Sequence, residues 1–307
     1  MNFSVKILGS ASAFASNGRS QSSQVLTHNN SHFLIDCGEN TQSLLRNYKV
    51  NFNKIKVIFI SHLHGDHYLG LFGLLSTMSL LGRTKPLHIV GPIGLKEIIS
   101  VQLKYSGTFI TYPFTLDEIT AEKSLLVYET KTLTVESIPL IHRVPTTGYI
   151  FKEREKDRKL NTEVAPTFLT PNQIKSLKKG EDVTTNDGSV FLSSACTFDP
   201  APLRSYAYCS DTMYNEAILP LIKECTLLYH EATFLDNLAD RALKTQHSTA
   251  KQAATIACKA NVQQLIIGHF SARYNDLTPL LEEAKTVFDN VDLAIEGESL
   301  IIESNNT

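Results

Sequence analysis

The run His62-Leu63-His64-Gly65-Asp66-His67, set directly after the apolar segment Ile55 to Ile60, most limits what this chain can fold into. The segment before it is β-branched and almost wholly apolar, as in a strand buried on both faces. His62 and His64 lie two apart just past that extended segment, so their rings project to one side. A turn at Gly65 then places Asp66 and His67 at the start of a helix, continued by the Leu-rich stretch Tyr68 to Leu81. Imidazole suits zinc and a carboxylate supplies a harder ligand, so these four side chains can reach two neighbouring metal positions.

Four ligands cannot hold two metals alone, and further ones are expected at other strand ends. Three places meet that demand. His142 follows Pro139-Leu140-Ile141, Asp211 lies in Cys209-Ser210-Asp211-Thr212, and His269 follows Leu265 to Gly268. In open α/β sheets, sites form beyond the carboxyl ends of the strands. Two zinc ions in such a set share a water, lower its pKa toward neutrality and clamp both oxygens of a displacement at phosphorus. Asp211, with two carboxylate oxygens, is the natural bridge. Asp66 can ligate one metal and accept the proton of the attacking water.

Strands and helices alternate from Val5 to Ile302, which predicts an α/β layered domain spanning residues 1–307. One segment breaks the pattern. Residues 151–189 are polar and charge-rich, with little apolar periodicity beyond Ile174 and Leu177. A stretch this long without periodicity reads as a functional loop or a protruding arm. Between Lys152 and Asp182 there are eight basic residues against six acidic ones, so the arm is weakly positive. Lys175, Lys178 and Lys179 form its basic end.

The net charge of -2 argues against a globally basic nucleic-acid binder but allows a local basic patch. Five cysteines without a CxxC pair fit a reducing compartment. No secretory signal and no apolar run of spanning length are evident, so the chain is expected to be cytoplasmic and not membrane-bound.

With these residues placed, the chain resembles ribonuclease Z, the tRNA 3′-processing endonuclease family of the metallo-β-lactamase superfamily. The resemblance runs nearly the whole length. It is carried by Phe33-Leu34-Ile35-Asp36-Cys37-Gly38-Glu39, by His142 with Pro145-Thr146-Thr147-Gly148-Tyr149, and by Ser210-Asp211-Thr212. It continues in His230-Glu231-Ala232-Thr233-Phe234, His247-Ser248-Thr249 and Gly268-His269-Phe270-Ser271-Ala272-Arg273-Tyr274. The Gly-Pro element usual in the family's arm is absent, and Ala15-Ser16-Asn17-Gly18-Arg19-Ser20 stands where many members carry Pro-x-Lys-x-Arg-Asn.

The resemblance implies a four-layer αββα sandwich with a protruding tRNA-binding arm at 151–189. It implies one zinc on His62, His64 and His142, a second on Asp66, His67 and His269, and Asp211 bridging. Asp66 would then be the general base, while Glu231 orients His247 toward the scissile phosphate or the leaving 3′ oxygen. Arg273 and the arm lysines become candidate RNA contacts, and a homodimer is the expected assembly. The implied reaction removes 3′ trailers from precursor tRNA, leaving a 3′-hydroxyl on the tRNA and a 5′-phosphate on the trailer. Two alternatives keep the fold: a two-zinc hydrolase of small phosphodiesters or thioesters, and a non-catalytic RNA-binding relative.

Overall fold

Alternate residues of the early strands face two different cores. The computed structural model describes residues 2–303. Its first half comprises β1 (Phe3–Gly9), β2 (Ser23–His28), β3 (Ser31–Ile35), α1 (Thr41–Asn47), β4 (Ile55–Phe59), α2 (Gly65–Tyr68), α3 (Gly70–Leu80), β5 (Leu87–Pro92), α4 (Leu95–Ser106) and β6 (Phe114–Ile119). The second half begins with β7 (Leu126–Glu129), β8 (Leu133–Leu140) and β9 (Thr146–Glu153). An excursion follows, holding β10 (Lys159–Leu160), α5 (Pro171–Lys178), β11 (Val183–Thr184), β12 (Val190–Phe191), α6 (Ser193–Cys196) and β13 (Thr197–Phe198). The chain then returns through β14 (Ser205–Cys209), α7 (Leu219–Ile222), β15 (Leu227–Glu231), α8 (Ala239–Thr245), α9 (Ala250–Lys259), β16 (Gln264–Gly268), α10 (Thr278–Lys285), β17 (Val291–Leu293) and β18 (Ser299–Ile301).

Two seven-stranded sheets result, in the orders β18-β1-β2-β3-β4-β5-β6 and β17-β16-β15-β14-β9-β8-β7. β3, β4, β5 and β6 run parallel, as do β14, β15, β16 and β17; the remaining pairings in both sheets are antiparallel. Phe33, Ile35, Val57 and Phe59 face the second sheet, where they meet Val135, Tyr149 and Phe151. Their neighbours Leu34, Ile58 and Ile60 face the other way, onto Leu45, Leu71, Leu74 and Ile99 of the first helical layer. This period of two explains why Val57 to Ile60 is apolar throughout, while Lys56 at the start of the strand is exposed. On the far side, Ala250, Ala253, Ala254 and Ala257 of α9 let that helix lie close on the second sheet. The layers are α, β, β and α, the metallo-β-lactamase sandwich.

The segment after β9 departs from the reading given above in two ways. It is not structureless. β10 pairs with β13 and β11 with β12, and α5 packs over a small core of Ala165, Leu169, Leu177, Val183 and Cys196. Its bounds are also shifted from 151–189: Phe151 to Glu153 still belong to β9, and the chain rejoins the second sheet only at Arg204. The apolar residues that close its core are scattered and lie partly beyond Ser189, so no local period reveals them. Thr170 caps α5 in a capping box with Gln173.

The root of the excursion is a buried ion-pair cluster. Glu153 Oε1 and Oε2 accept from Arg204 Nη2 at 2.8 Å and Nε at 2.9 Å, and Lys156 Nζ lies 2.7 Å from Oε2. His28 Nε2 stands 3.4 Å from Oε1. Burial would raise the Glu153 carboxyl, yet these donors hold it well below the usual carboxylate range. All five cysteines are free, and four of them are buried. Among the described residues, no helix is long and apolar enough to cross a membrane.

Candidate active site

Five strand ends deliver the site. β4 passes through Ser61 into His62, while β8 leads to His142 and β14 to Asp211. β15 ends on Glu231, and β16 is followed at once by His269. His64 is the N-cap of the one-turn helix α2, which carries Asp66 and His67. The loop beneath Asp66 is tight enough to require glycine twice. A Cβ at Gly70 would collide with the Gly38 carbonyl oxygen, and one at Gly38 with the Asp66 carbonyl oxygen.

The seven ligand candidates converge. His62 Nε2 and His142 Nε2 lie 3.0 and 3.2 Å from His64 Nδ1, and both stand 3.7 Å from Asp211 Oδ2. On the other side, His67 Nε2 and His269 Nε2 lie 3.3 and 3.2 Å from Asp211 Oδ1. The same two nitrogens lie 3.4 and 3.5 Å from Asp66 Oδ2. Each oxygen of Asp211 therefore faces a different group of imidazoles. These are two pockets of donor atoms sharing one carboxylate.

The remaining ring nitrogens fix which atom each histidine presents. His67 Nδ1 is 2.7 Å from Asp36 Oδ2, and His142 Nδ1 is 2.8 Å from the Gln246 carbonyl oxygen. His62 Nδ1 meets Ser61 Oγ at 3.0 Å, and His269 Nδ1 meets Thr233 Oγ1 at 3.0 Å. Nε2 of each is left to face the site, whereas His64 faces it with Nδ1. Outer partners of this kind orient imidazole ligands in metal centres. Nε2 of His67 and of His269 are buried without a hydrogen-bond partner. Two orphaned nitrogens aimed at carboxylate oxygens are costly unless a cation lies between them. The donors fit a metal ion.

Electrostatics agree. Asp36, Asp66, Asp211 and Glu231 are all buried. Burial opposes charge on Asp66 and Asp211, but the surrounding imidazoles hold both below the usual carboxylate range. Ala13 N–H donates to Asp66 Oδ2 at 2.8 Å and fixes that side chain. Glu231 is fully satisfied: Oε1 accepts from Thr212 N–H at 3.0 Å and lies 2.7 Å from His247 Nδ1, while Oε2 accepts from Thr233 N–H and Oγ1. Burial would lower His247, but Glu231 raises it to about 9, so the imidazole is a charged donor at neutral pH.

Sequence reading did not assign Asp36 a role. It sits one residue past β3, beside β4 in parallel register, and has a left-handed backbone (φ 56°). Its oxygens accept from Ser61 N–H at 2.7 Å, Ser61 Oγ at 2.9 Å and Tyr208 OH at 2.7 Å, besides facing His67. The signal was available: a carboxylate ending one apolar strand next to the strand that ends in histidines. Ala13, Thr233 and Gln246 act mainly through backbone or hydroxyl groups, and nothing in their residue types marked them. Arg273 is at the site's edge, 3.0 Å from Ser271 Oγ and over the Phe234 ring. Lys175, Lys178 and Lys179 lie in and just after α5 of the excursion, outside the cluster.

The sandwich and its buried cluster of histidines and aspartates define a hydrolase of metallo-β-lactamase fold. Full-length relatives narrow this further. The chain is 50% identical over 303 residues to the ribonuclease Z of Cytophaga hutchinsonii, covering 98% of this chain and 97% of that one. It therefore belongs to the ribonuclease Z family. Human tRNase Z, short form, superposes with a TM-score of 0.71 at 27% identity, covering 98% of this chain and 100% of that one. The metallo-β-lactamase fold protein YhfI from Bacillus subtilis shares the fold, with a TM-score of 0.69, 20% identity and coverage of 98% and 100%. A family model described as anti-Pycsar protein Apyc1 matches residues 3–155.

Proposed function

We propose that this chain is an endoribonuclease that removes 3′ trailers from precursor tRNA, leaving a 3′-hydroxyl on the tRNA and a 5′-phosphate on the trailer. The single observation that carries the reading is the buried Glu231–His247 pair, set beside a carboxylate shared by two imidazole groups in a chain of this family. His62, His64 and His142 would hold one zinc and Asp66, His67 and His269 a second, with the Asp211 carboxylate available to both groups. When bound, the two ions supply Lewis acidity and charge neutralisation at a phosphodiester.

The chain's own groups do the rest. Asp66, steadied by the Ala13 N–H, takes the proton of the attacking water. His247, held charged by Glu231, gives a proton to the departing 3′ oxygen. The phosphorus–O3′ bond breaks as the bond from water forms, so the phosphate stays on the trailer. Arg273 contacts a phosphate near the cut. The excursion that carries Lys175, Lys178 and Lys179 serves as a tRNA-binding arm, working on the shape and backbone charge of the folded RNA. A cytoplasmic homodimer is the assembly in which we place it.

Incubating zinc-loaded protein with a precursor tRNA tests the reading. One cut at the 3′ side of the tRNA is expected, abolished by chelation and restored by zinc. An RNA that stays whole while a control ribonuclease Z cuts it would sink the proposal.

A further inference from the structure

β14 is the central strand of the second sheet and leads through Ser210 into Asp211. Successive side chains of a strand alternate between its faces, so Tyr206, Tyr208 and Ser210 share one side. That side is turned to the first sheet. All three residues are buried, in a space otherwise filled by side chains such as Phe33, Phe59 and Phe151. Each hydroxyl reaches across the sandwich. Tyr206 OH donates to Gln24 Oε1 on β2, Tyr208 OH donates at 2.7 Å to Asp36 Oδ2 just past β3, and Ser210 Oγ lies 3.1 Å from Ser61 Oγ past β4. The Tyr208 ring is held by a stack on Tyr229, with centroids 5.0 Å apart and planes at 20°.

The ligand candidates are divided between the two sheets. His62, His64, Asp66 and His67 follow β4 of the first, whereas His142, Asp211 and His269 follow β8, β14 and β16 of the second. Apolar contact between sheets is non-directional and does not by itself fix how one stands against the other. Hydrogen bonds are directional. Asp36 gathers one imidazole from each group. His67 Nδ1 is 2.7 Å from its Oδ2, and Ser61 Oγ donates to the same oxygen at 2.9 Å while facing His62 Nδ1 at 3.0 Å. Tyr208 brings to this carboxylate the strand that carries Asp211. Burial and the Asp36 charge push the Tyr208 hydroxyl well above its ordinary range, so it stays a neutral donor.

We propose that Tyr208 is a positioning residue: its hydroxyl, held on Asp36, sets where the Asp211 carboxylate stands against the imidazoles of both groups. Tyr206 supplies the contrast. It offers the same hydroxyl from the same face of the same strand, but to Gln24, which has no hydrogen bond to any of the seven ligand candidates among the described residues. The inference rests on the two-metal part of the reading above.

The pair Tyr208→Phe and Tyr206→Phe tests it, because each removes one buried hydroxyl and keeps its ring. Both should lower the melting temperature of the metal-free chain to a similar extent. Zinc affinity, measured by competition with a chromophoric chelator, should separate them. It should fall about tenfold in Tyr208→Phe, the low end of what loss of an outer partner costs a metal centre, and hold its wild-type value in Tyr206→Phe. The visible absorption of the cobalt-loaded chain should shift with Tyr208→Phe alone. In an Asp36→Asn background, Tyr208→Phe should cost no further zinc affinity, since the hydroxyl acts through that carboxylate. Wild-type zinc affinity in Tyr208→Phe, equal losses in the two tyrosine variants, or full additivity with Asp36→Asn overturns the positioning role. A wild-type chain that takes up fewer than two zinc ions overturns the two-metal reading instead, a result seen before any substitution is made.

Discussion

The strand-end site and the excursion after β9 both concentrate polar residues, but they hold them in opposite ways. At the site His67, Asp211 and Glu231 are buried, and each has partners on several elements. In the excursion Lys175 and Lys179 are exposed and Lys178 is half-buried, on a short helix with a core of a few residues. A buried polar network is non-additive, because removing one member strands the others. Exposed charges act through screened Coulomb forces and sum nearly independently. Mutations should therefore collapse function at the site and only grade it in the arm.

The largest effect belongs to Asp66→Ala, which should lower kcat by about 10⁴-fold while RNA binding is largely retained. Single-turnover cleavage and a filter-binding titration check this together, and near-normal turnover would remove Asp66 from its assigned role. His247→Ala should cost about 10³-fold in kcat. Adding Glu231→Gln to it should cost little more, since the carboxylate acts through that imidazole. A fully additive double variant would break the claim that the pair works as a unit.

The root of the arm comes next. Glu153→Gln leaves the Arg204 guanidinium facing a neutral amide and should cost roughly 3 kcal/mol of stability in a denaturant titration at neutral pH. The sign with pH follows from the lowered carboxyl of Glu153. A depressed folded value contributes stability above the ordinary carboxylate pKa of about 4.3, and that stability is lost as pH falls through the folded value. The variant and wild type should therefore converge in acid; a gap that widens below pH 4 contradicts the ion-pair account. The smallest effect is the arm's own. Replacing Lys175, Lys178 and Lys179 by Ala should raise KM by about tenfold and flatten the slope of log affinity against log salt by about 2, with kcat unchanged. A collapse in kcat would mean that the arm shapes the site directly.

The same contrast explains what the sequence disclosed. His62, His64, Asp66, His67, His142, Asp211 and His269 were legible because the fold needs apolar strands there, and each polar residue interrupts that need at a strand end. The layered α/β architecture followed from the alternation of strands and helices along the chain, and its four-layer form from the family resemblance. Asp36 was half-legible: it obeys the same rule, but a lone Asp before Cys37-Gly38 has other readings. β2 was not seen because Ser23 and Gln24 look solvent-facing, although both are buried and Gln24 takes the Tyr206 hydroxyl. The arm's small core was hidden because Ala165, Leu177 and Cys196 meet across long separations that no local period records.

The central claim is that one shared carboxylate, a proton acceptor and a charged donor together cut an RNA phosphodiester with one polarity. Sequencing and end-group analysis of both products from a single precursor tRNA, with and without an encoded CCA, tests it most directly. One cut per precursor is predicted, with a free 3′-hydroxyl on the tRNA and a 5′-phosphate on the trailer. A 3′-phosphate or a 2′,3′-cyclic phosphate on the tRNA would contradict the account, because it would require the 5′ oxygen to leave instead of the oxygen assigned to His247.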